Sequence, residues 1–217
     1  MSTRRATAPS PAWRHEPASP FVRITPRARQ RAATRERLYA AAVDEFRRVG
    51  FERASVSEIA RAAGASRPSF YAHFPTLGHV LFEMSWRLSM QIVRRIETAG
   101  DLPAMLDRLA DALIEAEQAV GDPALFREMI SIFVRRPLAL PIDPSQIPVL
   151  REVSQRFARA RTAGELRGGM PPEQAARLCL SGVFGQLLGV TAGPSERRAD
   201  LRALFSLYLA DRPRRAC

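Results

Sequence analysis

Apolar positions recur at helical spacing over most of this chain, and polar or proline-rich stretches separate the recurrences. In residues 34–50, TRERLYAAAVDEFRRVG, Leu38, Ala42, Phe46 and Val49 fall on one face and Gly50 follows as a stop, which predicts a helix beginning near Thr34. The stretch from Ser55 to Phe74, SVSEIARAAGASRPSFYAHF, predicts two short helices broken by Gly64. Ser55 with Glu58 three residues on matches the reciprocal capping arrangement, and Ser66 can cap the second helix. Phe70 and Phe74 lie four apart, so they share a face that packs inward against Ile59. Arg67, Ser69, Tyr71, Ala72 and His73 are left outward. A short helix anchored by two phenylalanines, with a polar and basic outer face, suits a DNA major groove.

Beyond Pro75 the pattern predicts a long helix from Thr76 into the nineties, with Val80, Met84, Leu88 and Ile92 spaced four apart. Further helices are predicted at about 102–119, 123–135, 146–163, 171–190 and 195–211. RPLALPIDPSQIP, with prolines at 137, 141, 144 and 148, reads as a loop or a set of turns. No strand and no internal repeat is evident, so the fold class is all-α. The domain plan is a flexible basic arm at 1–33, a three-helix unit at 34–78, a helical bundle at 79–211 and a tail at 212–217.

Two predicted helices of the bundle stand out. Gly182, Gly185 and Gly189 fall within an apolar helix, where each glycine costs roughly 1 kcal/mol relative to alanine. Close approach of another helix, or an opening for a ligand beside Phe184, would offset that cost. The next helix carries a broad apolar stripe that includes Leu201, Phe205 and Tyr208. Either these two helices meet the same pair from a second copy, making Gly182, Gly185, Gly189, Leu201, Phe205 and Tyr208 a dimer interface, or they close their own bundle.

Charge sharpens the DNA reading. The net charge is +11 and all 33 basic residues are arginine. Residues 1–33 hold seven arginines against one acid, so the basic excess sits mainly there, next to the proposed groove-reading unit. The segment has transit-peptide composition, but prolines at 9, 11, 17, 20 and 26 argue for a flexible arm, with Arg29, Arg31 and Arg35 reaching DNA. Two cysteines are too few for a disulfide framework, which points to a reducing compartment, the cytoplasm. Three scattered histidines offer no metal-ligand spacing, and no apolar run approaches the roughly 18 residues that cross a bilayer. No metal, no cofactor and no membrane partner is expected.

The run TRERLYAAAVDEFRRVGFERASVSEIARAAGASRPSFYAHF resembles the DNA-binding head of TetR-type (tetracycline-repressor-like) bacterial transcriptional regulators. The match of spacing and residue class extends over some forty positions; beyond Pro75 the likeness is one of architecture. The resemblance implies a helix-turn-helix head joined to a divergent helical domain that binds a ligand and dimerises. It implies phosphate contacts from Ser55, Ser66, Ser69, Tyr71 and His73. Arg67 then becomes the candidate base reader, bidentate to guanine, and Ala72 a candidate partner of a thymine methyl. Two positions depart from the family. Pro68 stands where a small flexible residue is usual, and the first helical turn tolerates it. Leu77 stands where a backbone-gripping lysine is usual, with His79 or the basic arm as substitutes.

The expected function is a cytoplasmic, homodimeric, sequence-specific DNA-binding regulator, a repressor released from its operator by a small apolar effector. Phe82, Trp86, Met90, Phe126, Met129, Phe133, Phe157 and Phe184 are the candidate lining of the effector pocket. The rival readings are a regulator without an effector, whose body only dimerises, and a helical enzyme. The enzyme lacks a metal cluster, a phosphate-cradling loop and a nucleophile with its base.

Overall fold

In the computed structural model, residues 25–134, 147–189 and 193–210 are described, and these fold as nine α-helices with one short 3-10 turn. Helix α1 spans Pro26–Val49, so it starts well before Thr34 and takes in residues expected to belong to a flexible arm. The cause is a cap. The Thr25 side chain accepts from the Ala28 amide at 3.2 Å, and Pro26 fills the first position, where its missing amide has no partner to lose. At its other end α1 stops at Gly50, φ +82°, in the left-handed half of backbone space where glycine carries no Cβ penalty.

The 3-10 turn Phe51–Arg53 leads to α2 (Val56–Ala62) and α3 (Arg67–His73). Then follow α4 (Leu77–Ile96), α5 (Leu102–Val120), α6 (Pro123–Val134), α7 (Pro148–Ala163), α8 (Pro172–Gly189) and α9 (Pro194–Ser206). Pro26, Pro68, Pro103, Pro123, Pro148, Pro172 and Pro194 each occupy a first or second helical position, so they start helices rather than break them. Of the four-proline loop, Pro137, Pro141 and Pro144 lie outside the described residues.

Helix α9 ends at Ser206, short of the expected 211. There the chain turns to serve the α7–α8 connection: Arg167 N donates to Tyr208 O and Ala210 N to Glu165 O, both at 2.8 Å, around an isolated antiparallel bridge between Leu166 and Leu209. Amides that a longer helix would have used are satisfied across the turn instead.

One core runs through the described residues. Leu38, Ala42 and Phe46 of α1 meet Ile59, Phe70, Phe74 and Val80, all fully or almost fully buried, and the cluster continues through α4 into the body. Helix α4 lies against α5, α6 and α7, while α9 closes the far side on α5 and α8. Capping ties the body elements together. Arg156 of α7 donates to Glu97 O at 2.7 Å, just past the end of α4. Asp101 accepts from the Ala104 amide at the start of α5, and Ser89 of α4 accepts from the Val149 amide at the start of α7. The α5–α9 seam carries charged pairs: the buried Arg197 with Glu117, Arg198 with Asp111 at 2.9 Å and Arg202 with Asp107 at 3.1 Å.

Candidate nucleic-acid interface and body cavity

Gly64, φ +62°, turns the chain between α2 and α3, and Ala65 N donates back to Ala60 O at 2.9 Å. Ser66 then caps α3, its Oγ accepting from Ser69 N at 3.2 Å. Phe70 and Phe74 are fully buried and lie 5.8 Å apart between ring centres. They anchor α3 so that Arg67, Pro68, Tyr71 and Ala72 stand exposed, with Ser69 and His73 half-buried beside them. Tyr71 is 46% exposed, one of three large apolar or aromatic side chains standing in the open among the described residues. Its ring meets the edge of Phe70 at 5.6 Å, which holds the phenol outward.

Ser55 corrects the expected capping box. It sits at the N-cap of α2 but its side chain makes no capping bond, and the Glu58 carboxylate, which the reciprocal half of the box would need, is turned to Arg61 at 2.7 Å. The Ser55 hydroxyl, half-buried, is therefore not committed to the helix. Neighbours not singled out in the sequence join this surface: Ser57 in the first turn of α2 and Thr76 before α4 are both exposed. Both are small hydroxyl residues, and only their position beside α3 distinguishes them.

The expected arginines divide. Arg29 and Arg31 are exposed on the first turns of α1, whereas Arg35 is turned inward, donating to His73 O at 2.6 Å and pairing with Glu83. His73 is held below the usual histidine range by burial and by the charges of Arg31 and Arg35; His79 is lowered by burial and Arg35. His79 Nδ1 lies 2.9 Å from Thr76 Oγ1, and Leu77 beside it is half-buried. The start of α4 thus presents a neutral imidazole near pH 7 in place of a lysine.

In the body, a small apolar cavity of about 50 Å³ lies between α4, α5, α6, α7 and α8. Of the aromatic and thioether residues expected to line a pocket, Phe126, Met129 and Phe184 do so. Phe82 and Trp86 instead pair with each other at 6.3 Å, Phe157 packs on Tyr208 at 5.9 Å, and Met90 is not in the lining. The side chain of Phe133 lies outside the described residues. Most of the remaining lining is aliphatic, with Leu88 and Ile92 from α4, Leu109 and Leu113 from α5, and Leu180, Val183 and Leu187 from α8. Its polar members, Ser85 and Ser89, are already engaged. Ser85 Oγ donates toward Leu81 O and Met129 O at 3.0 and 3.2 Å, and Ser89 Oγ holds the Val149 amide at 2.9 Å.

The six expected interface positions also divide. Leu201 and Phe205 are buried in their own chain, Tyr208 packs on Phe157, and Gly182 lies under Leu204, where an added Cβ would come within 2.8 Å of the leucine methyl. These four close the chain's own bundle. Gly185 and Gly189 are exposed, on the same side of α8 as Leu178 and Ser181.

The model of the bacterial regulatory proteins of the tetR family matches residues 38–83, which run from α1 through α2 and α3 into α4. The head of the chain is that of a tetR-type regulator. Relatives of the chain include an HTH-type transcriptional regulator of Mycobacterium tuberculosis, 27% identical over 139 residues that cover 64% of this chain and 72% of that one. The HTH-type transcriptional regulator UidR of Escherichia coli is 24% identical over 178 residues, covering 79% and 91%. Among solved structures, Thermus thermophilus FadR, a TetR-family transcriptional repressor in complex with lauroyl-CoA, shares the fold with a TM-score of 0.64 at 22% identity. That likeness covers 80% of this chain and 92% of FadR. The protein is a DNA-binding transcriptional regulator with a helix-turn-helix head on a helical body.

Proposed function

We propose that this regulator is a cytoplasmic homodimeric repressor, released from its operator when a small apolar molecule occupies the body cavity. The observation that carries the reading is the double duty of α4, whose Val80 and Leu81 complete the core under the head while Leu88 and Ile92 wall the cavity. A ligand that fits only one disposition of α4 shifts the head by its differential affinity for the two states. Among the described residues the cavity presents no charged group, and its two hydroxyls are engaged, so an uncharged effector suits this lining. FadR of Thermus, with the same fold and a fatty acyl thioester bound, supports a body that accepts hydrocarbon.

On the DNA side, Arg67 reads a guanine, Ala72 meets a thymine methyl, and Ser55, Ser66, Ser69, Tyr71 and His73 bind phosphates, with Pro68 fixing the first turn of α3. Arg29 and Arg31 reach flanking phosphates from the extended α1. The dimer forms through the outer sides of α8 and α9. Of the three exposed large side chains, two, Leu178 and Leu207, lie on or just past these helices, and Ser181, Gly185 and Ala203 leave room for close approach.

The test is retardation of a DNA fragment selected from a random pool. Arg67→Ala is expected to cost about 1–3 kcal/mol and to relax sequence preference, and Tyr71→Phe to weaken binding evenly across sequences. Unaltered retardation by both variants would show that α3 does not face DNA.

A further inference from the structure

Arg35 is on the edge of the head, yet its guanidinium faces the protein. It donates to the carbonyl of His73, the last residue of α3, lies 4.2 Å above the Phe74 ring, and pairs with one oxygen of Glu83 on α4. The other Glu83 oxygen accepts from Arg87 at 2.6 Å. Arg87 in turn bonds Glu36 of α1 and lies 3.8 Å above the Tyr39 ring. Glu83 is 8% exposed, and both of its oxygens are spent on arginines. A carboxylate so buried is stable only with its partners in place. The closed circuit joins α1, the end of α3 and α4.

A second arginine repeats the motif nearby. Arg37 Nε donates to Ala63 O at 3.3 Å, at the C-cap of α2. Two arginines one turn apart or less on α1 thus hold the carbonyl ends of both reading helices, where a cation also suits the helix dipole. Only the Arg35 tie continues into α4.

We infer that Glu83 and Arg35 are positioning residues that fix the angle of the recognition helix against α4, and that Arg35 is not a DNA contact. The inference rests on α3 facing DNA. It also gives α4 a specific grip on α3: motion of the rod moves Glu83, which moves Arg35 and with it the end of the recognition helix.

The experiment measures operator affinity of the full chain against salt for Glu83→Gln, Arg35→Ala, Arg35→Lys, the Glu83→Gln/Arg35→Ala pair, Arg31→Ala and Arg67→Ala. It is run at a temperature where circular dichroism shows wild-type helix content for each. Glu83→Gln and Arg35→Ala are each expected to lose affinity roughly tenfold, and the pair no more than either alone, since they break one circuit. The slope of log affinity against log salt stays at the wild-type value for both, while Arg31→Ala shallows it by about 0.9. Lysine in place of Arg35 is expected to fail as alanine does, because it lacks the planar fork that reaches a carbonyl and a carboxylate together. Lysine rescue, or a shallower slope for Arg35→Ala, would make Arg35 a phosphate contact and overturn the inference, as would full affinity of Glu83→Gln. Full affinity of Arg67→Ala would instead sink the DNA-facing assignment of α3 on which it rests.

Discussion

His73 and His79 sit where the head meets α4, and both are kept neutral by burial reinforced by neighbouring arginine charge. In the unfolded chain each takes up a proton near the ordinary value of about 6.5. In the folded chain uptake comes at lower pH, so just below 6.5 the unfolded state binds more protons and stability falls as the solution is acidified. Melting temperature is therefore expected to be level from pH 8 to 7 and to decline below pH 6.5. The His73→Gln/His79→Gln variant should flatten that decline, and an unchanged slope would place the acid sensitivity elsewhere. Cys179 makes a contrast: its thiol is buried within α8 and pushed up to about 12 by that burial, so it acts as a small apolar side chain. The Ser55–Glu58 pair shows how far a residue motif can be trusted. The spacing of a capping box is present, but Arg61 one turn further on competes for the glutamate and takes it.

At the level of helices, spacing carried most of the information. The apolar stripes of α4 to α8 place those helices within a residue or two, because a buried face must repeat at the helical period whatever it packs against. The start of α1 was hidden for a chemical reason. A proline after a threonine reads as a breaker, but in the first helical position the same pair is a cap and a starter. Periodicity also could not tell core from cavity. Phe82 and Phe126 are both buried, and only the placing of their helices decides that Phe126 faces the void and Phe82 faces Trp86. Leu113 and Val183 line the void too, yet an aliphatic residue in an apolar stripe bears no mark of it. The glycines of α8 offer a test of the proposed dimer face. An added Cβ at Gly185 meets nothing within 4 Å of its own chain. Gly185→Ala should thus gain up to about 1 kcal/mol of helix propensity in the isolated chain while weakening a dimer that packs there. Sedimentation over a concentration series would read the second effect. A variant that melts higher and dimerises as before would move the interface off this face of α8.

The whole molecule has one core and one long shared element. Helix α4, twenty residues and so about 30 Å long, passes from the head's base to the cavity wall, with the Glu83–Arg87 circuit between. Neutral hydrocarbons of a size to enter the cavity are expected to raise the melting temperature, with about 2.7 kcal/mol of stabilisation at one hundred times the dissociation constant. Carboxylate and amine analogues of matched length should not, since the described lining residues offer them no counter-charge. Val183→Phe, which fills the void from α8, should remove the response to hydrocarbon and leave operator retention intact; persistence of the response would locate the ligand elsewhere. The shared rod also bears on how such a protein can diverge. A change at Leu109, Leu113 or Leu187 reshapes the cavity from helices whose main packing partners are other body helices, so ligand preference can drift there with the DNA target unchanged. A change at Leu88 or Ile92 alters the wall that also aims the head. Among descendants of this chain, new ligand preferences should therefore accumulate on α5 and α8, while α4 stays close to its present sequence.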